Sequence, residues 1–124
     1  MQILSVDDSA IVRKIIRGAA EVLGYELLEA SDGLEGLSIL EANYKNIDLI
    51  LLDWNMPGMN GMELLKKAKS NPDLARIPVM MVTTESEREN IVKAIKEGAS
   101  HYMTKPFTVE ELIKKILECL GMGG

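Results

Sequence analysis

Short hydrophobic runs alternate with amphipathic stretches along the whole of this chain. Five runs, each too short for a helix, predict strands over residues 3–6, 25–29, 48–53, 77–82 and 101–104. After each run, apolar residues recur at steps of three and four, which is the spacing of one helix face. The third run is apolar throughout, as expected for a central strand buried on both faces. The alternation therefore predicts an α/β domain whose parallel sheet is covered by helices on both sides.

Each predicted helix has apolar positions that we expect to be buried against the sheet. In chain order they are Ile11, Val12, Ile15, Ile16, Ala19, Ala20 and Leu23; Leu34, Leu37 and Leu40; Met62, Leu65 and Ala68; Ile91, Val92 and Ile95; and Val109, Leu112, Ile113, Ile116, Leu117 and Leu120. Helix starts are marked by three acid-containing capping motifs, namely Asp32 with Glu35, Ser86 with Glu89, and Thr108 with Glu111. Gly24 and Gly98 have the position of helix-ending glycines.

The order of the strands follows from chain geometry. Crossovers between parallel strands are right-handed, so the helices must change sides of the sheet at one point. For five strands the common solution is the flavodoxin-like (βα)5 fold with strand order 2-1-3-4-5. Ligands then bind outside the carboxyl ends of the first and third strands. Asp7 and Asp8 follow the first strand and Asp53 ends the third, so the predicted binding point is acidic.

Composition narrows the class of protein. The chain has 124 residues, 47% of them hydrophobic, which fits one folded domain at 1–120 with a flexible tail at 121–124. A net charge of −5 without a Lys- or Arg-rich run argues against a nucleic-acid partner. We expect no leader, and no apolar run reaches the ~20 residues that span a bilayer. The single cysteine agrees with a reducing compartment, so we expect a cytoplasmic protein. We also expect a monomer or weak dimer without membrane insertion.

Three carboxylates in one cleft predict a cation. Like charges at short range destabilise one another unless something relieves them, and Mg²⁺ does so with oxygen ligands. We expect Asp8 and Asp53 to bind the ion directly and Asp7 through water, with the backbone carbonyl of Asn55 completing the set. The alternative is that Asp8 only caps the first helix and Asp7 is a solvated strand end.

Three strand tips carry groups that handle phosphate. A carboxylate at the end of the most buried strand can act as an oxygen nucleophile on phosphorus, and this is the role predicted for Asp53. Thr83 could donate its hydroxyl to the phosphoryl group, and Lys105 could pair with Asp53 or with a phosphoryl oxygen. The alternatives are that Asp53 binds metal without a covalent role, that Thr83 only packs within its strand, and that Lys105 is a surface lysine. The Lys105–Pro106 bond is a candidate cis peptide.

These residues together resemble a known family. Asp7-Asp8, the run Leu-Leu-Asp-Trp-Asn-Met-Pro-Gly-Met-Asn-Gly at 51–61, Thr83 and Lys105-Pro106-Phe107 are similar to the motifs of receiver domains of bacterial two-component response regulators. The match covers essentially the whole chain. The resemblance implies that Asp53 accepts phosphate from a histidine kinase, with Mg²⁺ bound by Asp8, Asp53 and the Asn55 carbonyl.

Within that family, the stand-alone chemotaxis regulators are resembled by Asp-Trp-Asn-Met-Pro at 53–57, Thr-Thr-Glu at 83–85 and Tyr102. The resemblance implies that Thr83 moves toward the phosphoryl group and that Tyr102 turns inward behind it. The face of the fourth helix, fifth strand and fifth helix would then bind a target such as a flagellar motor switch protein. Thr84 departs from the Ala or Gly of many receivers, and Ser9 from the aromatic of some chemotaxis members. Asn55 and Glu85 flank the cleft and are candidates for setting the rate of hydrolysis.

Two other functions use similar chemistry. A haloacid-dehalogenase-like phosphatase would need an Asp-x-Asp pattern and a cap domain, whereas this chain has Asp7-Asp8-Ser9 and no length for a cap. A phosphorelay shuttle, which passes phosphate on to a histidine phosphotransfer domain, would use the same residues as a response regulator. We therefore expect a phosphoacceptor that assists its own phosphorylation and dephosphorylation, not an enzyme, and keep the shuttle as the alternative.

Overall fold

A computed structural model describes residues 1–84 and 88–121 of the chain. In chain order the elements are β1 Gln2–Val6, α1 Ala10–Leu23, β2 Glu26–Ala30, α2 Gly33–Asn43, β3 Leu49–Asp53, α3 Gly61–Ser70, β4 Val79–Thr84, α4 Arg88–Lys96, β5 His101–Lys105 and α5 Val109–Cys119. All five predicted strands and all five helices are present. Within these ranges, no helix combines the length and apolar character needed to cross a bilayer. Beyond Gly121, the predicted tail lies outside the described residues.

The sheet has the predicted topology. Its five strands are parallel and lie in the order β2-β1-β3-β4-β5. Alternate residues of β3 face opposite sides of the sheet, so Ile50 and Leu52 join one core cluster and Leu49 and Leu51 join the other. Helices α2, α3 and α4 cover the first side, and α1 and α5 cover the second. Burial on both faces is why β3 is an uninterrupted apolar run.

Most of the described helices begin with a side-chain N-cap. The Asp32 carboxylate accepts the Glu35 N–H, and Thr108 and Glu111 form the predicted reciprocal capping box. A further capping box, between Asn60 and Glu63 at the start of α3, was not predicted. Gly24 ends α1 with φ +71°, the left-handed conformation expected there. The predicted motif of Ser86 with Glu89 involves a residue outside the described part of the chain.

The predicted buried faces of three helices were too wide. Ile11 is 75% exposed, Leu34 62%, Val92 55% and Ile95 49%. In α2 it is Gly36 that approaches the sheet, where a Cβ would lie 2.9 Å from a Val6 methyl carbon. That close approach turns Leu34 outward.

In α4 the fully buried positions are Ile91 and Ala94, so only a narrow stripe of this helix meets the sheet. Val92 and Ile95 lie beside that stripe and face solvent instead of the core. Helix α4 therefore has apolar residues that the described part of the chain leaves exposed.

Sulfur-containing side chains fill part of the interior. Met56 and Met59 belong to the core on the α2–α3 side, with Met62 packed against it. Cys119 packs at the edge of the other core cluster, and burial raises the pKa of its thiol to about 11. A thiol with a raised pKa is a poor nucleophile, so Cys119 has a packing role.

Candidate functional site

Strand register brings the predicted site residues to one edge of the sheet. Val6 is paired with Leu52, so Asp7 and Asp53 are each the next residue along neighbouring strands. Asp53 is in turn paired with Val82, which places Thr83 one step beyond it. Thr83 pairs with Thr104, and Lys105 follows. Parallel strands end at the same edge of a sheet, so residues distant in sequence converge there.

The three carboxylates form one cluster. Oxygen atoms of Asp7, Asp8 and Asp53 all lie within 4.8 Å of one another. Asp7 and Asp53 are buried, whereas Asp8 is exposed. The oxygen that caps α1 belongs to Ser9, whose hydroxyl accepts the Val12 N–H at 3.3 Å. The alternative that Asp8 serves only as a helix cap is therefore wrong.

Asp7 is held in place from two sides. Its Oδ1 accepts the Ser9 N–H at 2.8 Å. Its Oδ2 lies 3.2 Å from Lys105 Nζ as an ion pair without hydrogen-bond geometry, and it has no hydrogen-bond partner among the described residues. At 2% exposure Asp7 is not a solvated strand end. Because Asp7 shares the Lys105 ammonium with Asp53, a second cation beside this oxygen would be favourable.

Lys105 provides the only side-chain cation that the described residues bring into ion-pair contact with this cluster. Its Nζ donates to Asp53 Oδ1 at 3.2 Å. Burial lowers the pKa of the ammonium, but the charges of Asp53 and Asp7, together with the hydrogen bond to Asp53, outweigh it, so the pKa is raised. The side chain is largely buried, so the surface-lysine alternative is wrong. The Lys105–Pro106 bond is cis, as predicted.

The carboxyl group of Asp53 has a strongly perturbed pKa. Burial, followed by the charge of Asp7, raises its pKa to about 6, even though Lys105 acts in the opposite direction. Asp8 adds a smaller effect that also raises the pKa. One cation thus does not balance the cluster, and a carboxylate in this position gains from a second cation.

Thr83 is buried with an unsatisfied hydroxyl. The residue is 1% exposed, and its Oγ1 has no hydrogen-bond partner among the described residues. A buried hydroxyl without a partner costs free energy that an isosteric valine would avoid. Strand packing explains the β-branched shape of this residue but does not explain its oxygen.

The remaining predicted residues lie around this cluster. Asn55 and Thr84 are exposed, Asn55 two residues after Asp53 and Thr84 beside Lys105 in the sheet register. Tyr102 is 45% exposed, so it does not occupy the inward position that the resemblance implies for the activated state. Glu85 lies outside the described residues.

Gly61 is a residue that the sequence analysis did not assign to the site. A Cβ at this position would lie 2.2 Å from the backbone oxygen of Asp53, and the Gly61 N–H donates to the Trp54 carbonyl at 2.9 Å. The start of α3 is therefore packed directly against the backbone of the Asp53 strand end. Its place as the last residue of the turn-rich run at 51–61 is the signal that could have identified it.

The residues present fit a Mg²⁺ ion. The cluster consists of oxygen ligands only, which is the donor type that Mg²⁺ prefers, and one side of it is exposed at Asp8, which leaves room for the waters the ion retains. The raised pKa of Asp53 indicates a shortage of positive charge at the cluster. The arrangement places a buried carboxylate beside an ammonium group at a sheet edge that also carries a buried hydroxyl.

Comparison with known proteins identifies the protein family. Residues 3–117 match the response regulator receiver domain family. The chain therefore belongs to this family, as the sequence resemblance predicted. Receiver domains take part in two-component signalling, with a kinase as phosphodonor and a downstream target.

Similar proteins within the family are chemotaxis regulators. The chain is 42% identical to chemotaxis protein CheY1 of Helicobacter pylori over 122 residues, which cover 98% of each chain. It is 40% identical to a CheY homolog of Campylobacter jejuni, covering 99% of this chain and 95% of that protein. Among solved structures, CheY4 of Vibrio cholerae has a TM-score of 0.87 at 33% identity and covers 96% of this chain and 98% of its own. The chain is thus a receiver domain of CheY type.

Proposed function

We propose that this protein is a stand-alone response regulator that accepts a phosphoryl group on Asp53. The observation that carries the proposal is the cluster of Asp7, Asp8 and Asp53 around one lysine, with their oxygens within 4.8 Å of one another. Such a site suits a phosphoryl group and a divalent cation, because phosphoryl transfer depends mainly on positioning and charge neutralisation.

The nucleophile is the carboxylate oxygen of Asp53. It forms an O–P bond while the N–P bond of a phosphohistidine on the kinase breaks, and the electron pair of that bond leaves with the imidazole nitrogen. The pKa of about 6 leaves Asp53 largely ionised near neutral pH, so it needs no general base. Asp8, Asp53 and the Asn55 carbonyl would hold Mg²⁺, with Asp7 acting through water. When bound, the ion neutralises charge on the phosphoryl oxygens.

Lys105 and Thr83 would stabilise the transferred group. The Lys105 ammonium already contacts the carboxylate that is modified, so it lies within reach of a phosphoryl oxygen. The unsatisfied Thr83 hydroxyl would gain the acceptor it lacks. Asn55 and Glu85 are the residues we assign to control of the hydrolysis rate.

The change at Thr83 would be transmitted to a target-binding face on α4, β5 and α5. Val92 and Ile95 expose apolar surface on α4, and they line a groove of about 600 Å³ together with Tyr102. Inward movement of Tyr102 would change the shape of this groove. An exposed apolar groove of this kind fits a helical segment of a partner, such as a flagellar motor switch protein.

One hydrogen bond cannot complete this switch. A shift from ~1% to ~99% active needs about 5.5 kcal/mol of differential stabilisation, whereas a charge-assisted hydrogen bond contributes about 1.5–3 kcal/mol. We therefore propose that target binding supplies the remainder. If NMR found the isolated phosphorylated chain in a single active conformer, this part of the proposal would be wrong.

Labelling tests the central claim. Incubation with phosphoramidate and Mg²⁺ should add one phosphoryl group to Asp53, measured by intact mass and by peptide mapping after trapping. Asp53→Asn should give no adduct, whereas Asp73→Asn, with the same charge change on an exposed residue, should label normally. Labelling of Asp53→Asn to the wild-type level would refute the assignment. The relay shuttle would require transfer from Asp53 to a histidine protein, and no observation of this structure favours it.

A further inference from the structure

A pocket between α3 and α4 lies outside the acidic cleft. It has a volume of about 380 Å³, within the range of small-ligand sites. Trp54 and Met62 provide its apolar surface, and both are only partly buried against the core. Lys66 on α3 and Lys93 and Lys96 on α4 place three ammonium groups around it. The pocket thus has apolar surface edged with positive charge.

The positive charge is not accounted for by ion pairing. Glu63 and Glu97 also line the pocket, so three cations face two carboxylates in a chain whose net charge is −5. In residues 1–84 and 88–121, the recorded ion pairs do not include any of the three lysines. Glu63 is engaged in the capping box of α3, where it accepts the Asn60 N–H.

Helix electrostatics explain only part of this arrangement. Lys93 and Lys96 lie in the last turn of α4, where a cation is favourable beside the helix C-terminus. In α3, however, the last-turn lysines are Lys67 and Lys69, so the helix dipole gives no reason for Lys66. Lys66 lies instead on the side of α3 that lines the pocket with Trp54.

We propose that this pocket binds a planar organic anion, whose aromatic body lies against Trp54 and Met62 and whose charged group lies among the three lysines. An inorganic anion would leave the apolar surface unused, and a neutral aromatic molecule would leave the ammonium groups without a partner. Aromatic side chains bind planar rings through stacking, and lysine binds anionic groups as a point charge.

Binding can be followed through Trp54, because it is the only tryptophan of the chain. We would titrate the full chain in metal-free buffer with 2-naphthalenesulfonate and follow the indole N–H signal of Trp54 by NMR. Naphthalene-2-sulfonamide is the neutral match. The sulfonate should shift the signal saturably with a Kd of about 1 mM or tighter. The sulfonamide should bind about 3- to 30-fold more weakly, as expected from losing a few exposed charge pairs.

Double lysine variants test whether the anion binds beside the lysines of the pocket. The double variant Lys66→Gln, Lys93→Gln should weaken sulfonate binding about 3- to 10-fold. The control is Lys45→Gln, Lys67→Gln, which removes the same charge from exposed positions outside the pocket and should change Kd less than about 2-fold. Three results would each overturn the proposal: no saturable shift of the indole signal, equal affinity for the sulfonamide, or an equal loss in the control. None of these measurements depends on phosphorylation of Asp53.

Discussion

Replacing Asp53 by Asn should stabilise the protein in metal-free buffer. Asp53 is buried with Asp7 beside it, and its pKa is raised from 3.8 to about 6. Protonated Asp and Asn are both neutral and nearly the same size. The two proteins should therefore have similar free energies of unfolding at about pH 4, where Asp53 is protonated in the native state.

The difference should grow as the pH rises. The folded state binds the Asp53 proton more tightly than the unfolded state, so wild-type stability falls between about pH 4 and pH 6. A shift of about two pKa units corresponds to about 3 kcal/mol at 1.36 kcal/mol per unit. Because Asp8 keeps one side of the cluster open to solvent, we expect about 1–3 kcal/mol. The amide introduced by Asp53→Asn does not titrate, so the variant avoids this loss.

Magnesium should reduce or reverse this stability advantage of Asp53→Asn. An ion bound only by the folded wild-type protein stabilises it by RT ln(1 + [Mg²⁺]/Kd), about 2.7 kcal/mol at 100 times Kd. Asp53→Asn removes a ligand and should gain much less. The effect of Mg²⁺ thus tests the ligand role of Asp53 separately from the effect of its charge.

Urea unfolding followed by circular dichroism, at about pH 4 and pH 7 with EDTA and at pH 7 with Mg²⁺, measures all three quantities. Asp73→Asn is the control, since it removes one exposed carboxylate outside the cluster. It should differ from wild type by less than about 0.5 kcal/mol. If Asp53→Asn is no more stable than wild type at pH 7 in EDTA, and the difference in free energy of unfolding does not grow from pH 4 to pH 7, the charge of Asp53 does not destabilise the fold.

Three further substitutions test the contacts around Asp53. Thr83→Val should leave stability unchanged or raise it by about 1 kcal/mol in urea, because the buried hydroxyl has no partner among the described residues; a loss above about 1 kcal/mol would indicate a hydrogen bond that we have missed. Lys105→Met should destabilise the metal-free protein by about 1–3 kcal/mol, with a larger gain from Mg²⁺ than wild type, since two carboxylates lose their cation; an unchanged midpoint would contradict the ion pairs. Gly61→Ala should cost more than about 2 kcal/mol because its Cβ would overlap the Asp53 carbonyl. Gly18→Ala, with its nearest neighbour at 3.7 Å, should instead gain about 0.5–1 kcal/mol, and equal effects in the two glycine variants would refute the close approach.

The order of elements and the composition of the site follow from the chain alone. Strand and helix periods are local properties, as are capping motifs such as Thr108 with Glu111. Because parallel strands end at one edge, residues that follow apolar runs had to converge there. That is why Asp7, Asp53, Thr83 and Lys105 could be placed together before any contact was known.

Which apolar residues are buried depends on tertiary packing. Leu34, Val92 and Ile95 match the helical period, yet all three are exposed. The helical spacing of apolar residues predicts which face of a helix is buried. It does not predict how wide that buried face is, because the width depends on how closely the helix approaches the sheet. In α2 that distance is set by the contact of Gly36 with Val6, a residue of another element.

The energetics of the site likewise arise only in three dimensions. The shared contact of Lys105 with two carboxylates, the unsatisfied Thr83 oxygen and the raised pKa of Asp53 each depend on atoms far apart in sequence. The pocket beside Trp54 also needs α3 and α4 side by side. Local sequence determines which groups reach an edge or a face, whereas charge balance and burial depend on the whole set of neighbours that folding assembles around them.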